Sequence, residues 1–160
     1  MELTTTLRRL HDSGACTERY KVLLKALGTD YPQEQPINLL TILDSNGLDD
    51  ALWAICATKQ NCDKIARLMA ADFAEQVLPI WHKYSQDKRP ELAIKAARDF
   101  AHGRVSRNDL AAVRAAAWAA VRAAAWAAAW AAAWDAVRDA ARAKQREIFV
   151  SYLQPEQVAP

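Results

Sequence analysis

Between Gly103 and Pro155 the chain holds neither glycine nor proline, and the middle of that interval, Val113 to Lys144, reads VRAAAWAAVRAAAWAAAWAAAWDAVRDAARAK. Alanine has the highest helix propensity of all residues, so this stretch needs little tertiary help to be helical. Ser106 with Asp109 forms a capping box at its start. Arg138, Arg142, Lys144 and Arg146 place cations where the negative end of a helix dipole favours them. Unbroken from Arg107 to Val150, such a helix would be about 65 Å long, against a radius of gyration of about 15 Å for a domain of this length. The expectation is a long, curved helix over 106–150 that organises the rest of the fold, with a break near Trp134 and Asp135 as the alternative.

Within the tract, Val113 to Ala120 reads VRAAAWAA and Val121 to Ala128 repeats it. Eight residues turn a helix through roughly 800°, so equivalent side chains drift by about 80° per repeat. Trp118, Trp126, Trp130 and Trp134 therefore sweep round an arc, which excludes a heptad seam. Alanine faces let neighbouring helices approach to about 8 Å, and each indole buries on the order of 150–250 Å² between them. That is the core-packing reading. The spacing also sets Arg114 four residues before Trp118 and Arg122 four before Trp126, within reach of cation–π contact. Two functional readings stand beside it. Trp and Arg are enriched at binding hot spots, so Trp118, Arg122, Trp126, Trp130, Trp134 and Arg138 form a candidate surface for a protein partner. The same side chains also suit stacking on a nucleotide.

Before Gly103 the punctuation is dense. Leu3 to His11 reads as a short helix, stopped by Asp12-Ser13-Gly14. Thr17 to about Leu27 reads as a second, closed by Gly28. Pro32 and Pro36 mark a loop, followed by a short apolar helix over Ile37 to Leu43. Another helix runs from Leu48 to Ala57, with Asp49 and Asp50 at its N-terminal end. After Asn61 a longer helix carries Ile65, Leu68, Met69, Phe73, Val77, Ile80 and Trp81 at helical spacing, to be kinked or ended by Pro79. Pro90 suits the first turn of a helix closed by Gly103. No pair of alternating runs flanks a hairpin turn, so no strand is expected. The fold class is all-α: a single domain over 1–153 of about six to eight helices, with 154–160 as a flexible tail.

Charge and composition narrow the function. A formal charge of +2 with both signs interspersed lacks the basic stripe of a nucleic-acid binder. No apolar run reaches the roughly 18 residues of a membrane span, and Met1 is not followed by a secretory signal, so the cytoplasm is the expected compartment. The three cysteines, Cys16, Cys56 and Cys62, include no CxxC spacing and are read as buried, reduced thiols. His11, His82 and His102 are read as ordinary helix residues. There is no Gly-rich phosphate loop, GxSxG or HExxH, and no catalytic residue, metal ligand or cofactor site is assigned. Asp72, near Glu75 within an apolar helix, is the one candidate for a partly buried acid, and a solvated or salt-bridged position is its simpler reading.

Taken in order, LRRLHDSGAC, ALWAI, DKIARLMAADFAEQVLPIW, RPELAIKAARDFAHGRVS and the Ala/Trp/Arg tract resemble the alanine-rich immunity proteins of bacterial polymorphic toxin systems, a kind also seen in phages. The resemblance runs from Leu7 to about Leu153. It implies a cytoplasmic, all-helical, non-enzymatic protein that binds and neutralises a toxin domain, and it brings no residue role with it. A nucleotide-sequestering helical protein and a self-associating scaffold remain alternatives, and a homodimer stays open.

Overall fold

The computed structural model describes residues 2–83, 86–109, 111 and 134–154, those at 80, 134–138 and 140 by their backbone alone. Eight α-helices occur among them: α1 (Leu7–Asp12), α2 (Thr17–Leu27), α3 (Leu39–Asn46), α4 (Leu48–Ala54), α5 (Asp63–Glu75), α6 (Leu78–Trp81), α7 (Arg89–Ala101) and α8 (Trp134–Leu153). The protein is all-α. None of the described helices is long and apolar enough to cross a membrane. The chain divides into two compact units, Met1–Cys62 with Val150–Pro160, and Asp63–Phe149.

In the first unit the expected helix over Leu3 to His11 begins only at Leu7. Thr4 and Thr5 form a strand, β1, paired antiparallel with β2 (Ile37–Asn38) in the register Thr4↔Asn38 and Thr5↔Ile37. Three consecutive β-branched threonines favour the extended backbone, and two-residue strands are too short to leave an alternating pattern. Thr6 ends the strand and caps α1, its hydroxyl accepting from the Arg9 N–H at 3.2 Å. Asn38 likewise caps α3 through the Leu40 N–H at 2.8 Å, so this helix starts two residues later than its apolar run suggests.

The helix expected over Leu48 to Ala57 stops at Ala54 and tightens into a 3-10 turn, Ile55–Ala57. The residues after it are stitched to β1. Lys59 N–H donates to the Thr4 carbonyl at 2.9 Å, the Thr5 hydroxyl to the Ala57 carbonyl at 2.6 Å, and Arg9 Nε to that same carbonyl at 2.9 Å. Leu3, Leu7, Ile37 and Leu39 are almost fully buried around this ribbon. Each such side chain contributes about 1.5–3 kcal/mol on leaving water.

Gly28 closes α2 with its N–H on the Leu24 carbonyl at 2.9 Å. Gly47 ends α3 and begins α4 in one residue, at φ 90° and ψ 178°.

In the second unit α5 and α7 pack together, burying Met69 and Ala71 on the first and Ile94 on the second. The long apolar helix expected after Asn61 is interrupted. α5 stops at Glu75 and α6 resumes at Leu78, with the Val77 N–H turned to the Ala74 carbonyl at 3.3 Å. Pro79 falls in the first turn of α6, where its missing N–H leaves no bond unmade. Val77, outside the helix, is 40% exposed rather than part of the apolar face. Trp81 Nε1 donates to the Asp87 carbonyl at 3.0 Å, and the Asp87 carboxylate accepts the Arg89 N–H at 2.9 Å, which sets the start of α7.

The capping box is present: Asp109 Oδ2 accepts from the Ser106 N–H at 3.0 Å and from its hydroxyl at 2.6 Å, while the Asp109 N–H donates back to the Ser106 hydroxyl at 3.2 Å. Whether the helix it starts continues unbroken falls on 112–133, outside the described residues, as does the tail over 155–160. Along α8, Ala141, Gln145 and Ile148 are less exposed than their neighbours and Phe149 is fully buried. The steps of four, three and one mark one helical face.

Candidate functional site

Four of the six residues expected to form a partner surface, Trp118, Arg122, Trp126 and Trp130, lie outside the described residues. Trp134 and Arg138 stand on the first two turns of α8, and their side chains also lie outside the described set. What the structure shows of the tract is its C-terminal continuation. There Arg142, Lys144 and Arg146 are exposed, and Lys144 pairs with Glu147 at 2.7 Å.

Asp72, the candidate buried acid, is an ion-pair partner. α7 brings Arg98 against it, 26 positions along the chain, with Nη2 at 2.6 Å from Asp72 Oδ1. The same guanidinium spans Glu75, Nη1 to Oε1 at 2.9 Å and Nη2 to Oε2 at 2.7 Å. The hydrogen bonds from Arg98 hold the Glu75 carboxyl below its ordinary value, with burial opposing them. In return Glu75 first, then Asp72, push the Arg98 guanidinium up. A general acid needs a carboxyl pushed up towards neutrality. Glu75 is shifted the other way, so this cluster is a clamp between α5 and α7. No signal in the sequence could have paired Arg98 with these carboxylates, because α5 and α7 are separated by α6 and a loop.

Two other polar arrangements lie in this unit. His82 Nε2 stands 3.0 Å from Glu91 Oε1, while Glu91 Oε2 and the Gln76 carboxamide are buried with no hydrogen-bond partner among the described residues. Arg67 of α5 lies over the ring of Phe100 of α7, its guanidinium carbon 4.7 Å from the ring centre. The Arg114–Trp118 and Arg122–Trp126 pairs that the sequence suggests for such contact lie outside the described residues.

The first unit holds a network that fixes α2 to the α3–α4 corner. Arg19 Nε donates to Asp50 Oδ2 at 2.6 Å, and Asn46 Nδ2 donates to the same oxygen at 2.8 Å and to the Arg19 carbonyl at 2.8 Å. Asp50, expected only as a helix-start charge, is thus the centre of a three-residue junction. One turn along α4 stands Trp53, which is 40% exposed. Its neighbours Ala51 and Ala54 are the residues buried, because α4 turns those small side chains inward. The cysteines are free, and only Cys62 is buried, its Sγ 3.1 Å from the Thr58 hydroxyl. Cys16 and Cys56 are exposed, against the expectation of three buried thiols. Cys16 precedes the first turn of α2 and Cys56 sits in the 3-10 turn that breaks the expected helix, so neither enters a buried helical face.

Among the described residues no group of three or more His, Cys, Asp or Glu is placed to hold a metal ion. Compared with known proteins, the chain matches no family model, no curated protein and no solved structure.

Proposed function

We propose that this is a stoichiometric binding protein of the cytoplasm, and that it neutralises a toxin domain by occluding it, as an immunity protein does. Trp53 carries this reading among the described residues. A large indole 40% exposed on a short helix costs free energy that covering it would recover, and Trp is the residue type most enriched at protein-binding hot spots. The helix that bears it is not loose. Asp50, one turn away, is held by both Arg19 and Asn46, so little conformational freedom is lost when a partner docks. The Ala/Trp/Arg tract supports the same reading by composition, and the sequence resemblance supplies the class of partner.

The test is a titration of the purified chain with the toxin domain encoded beside its gene. A one-to-one complex is expected. Trp53→Ala weakens it at least about tenfold, with far-UV circular dichroism unchanged because the indole is half out of the protein. A neighbouring toxin domain that does not bind, or the lack of a toxin gene beside this one, overturns the proposal.

A further inference from the structure

We draw no further inference here: the strongest candidate, the Arg67 guanidinium stacked on the Phe100 ring between α5 and α7, supports no proposal, since nothing in the structure shows what covers it.

Discussion

Gly47→Ala isolates backbone strain, because a Cβ there meets nothing while the backbone sits at positive φ. Gly47 ends α3, its N–H on the Leu43 carbonyl at 3.0 Å, and starts α4, its carbonyl accepting the Ala51 N–H at 3.2 Å. At φ 90° and ψ 178° it occupies a region open essentially to glycine alone, where an L-residue costs of order 1–3 kcal/mol. A Cβ at this position meets nothing within 4 Å, so no steric repacking is added. Alanine also restricts the unfolded chain, which returns about 0.4–1 kcal/mol. The net expectation is a loss of about 1–2 kcal/mol, read as a fall of roughly 1 M in the urea midpoint by far-UV circular dichroism, for a slope of 1–2 kcal/mol/M. The decisive control is D-alanine at the same position, introduced by ligation at Cys56. Its allowed map is the mirror image, so +90°, 178° is unstrained for it, and the protein should be as stable as the parent or slightly more so. If L- and D-alanine lower the midpoint equally, the strain argument is wrong and the loss comes from a contact that the backbone geometry does not show.

Further outcomes follow from the ion cluster and the thiols. Arg98→Leu should cost about 1 kcal/mol near neutral pH, a modest figure because the cluster is part-exposed and screened. That cost should fade in acid. Glu75 is held below its ordinary value of 4.5, so its contribution is complete above that pH and is lost as the pH falls below it through the folded value; urea midpoints of parent and variant should converge towards pH 3, and a constant gap would refute the assignment. A thiol reagent should label Cys16 and Cys56 quickly and Cys62 only on unfolding, since Cys62 alone is buried; three fast thiols would contradict the packing around Thr58.

Much of the helix map was legible because its signals are local. Gly28 and Gly47 stop helices, Pro90 opens one, Pro79 marks the interruption after α5, and Ser106 with Asp109 closes a capping box, each through a bond to a neighbour a few residues away. The errors share a cause as well. Thr4 and Thr5 belong to a strand only because Ile37 and Asn38 arrive beside them, and a two-residue bridge has no period to detect. Val77 falls on the apolar face of one continuous helix by its spacing, but the break after Glu75 leaves it part-exposed. The candidate surface on Trp118, Arg122, Trp126 and Trp130 rests on composition alone.

By itself, the amino-acid sequence determined that this chain would be helical, where most of its helices stop, and that its charges would be mixed instead of massed. Those are consequences of propensity, capping and spacing, which act within a turn or two. Tertiary packing decided the partners: Arg98 with Asp72 and Glu75, Arg67 with Phe100, Arg19 with Asp50, and Thr5 with Ala57. Each joins residues 23 to 52 positions apart, and only the burial of helix faces, which acts across the whole chain, brings such groups within bonding distance.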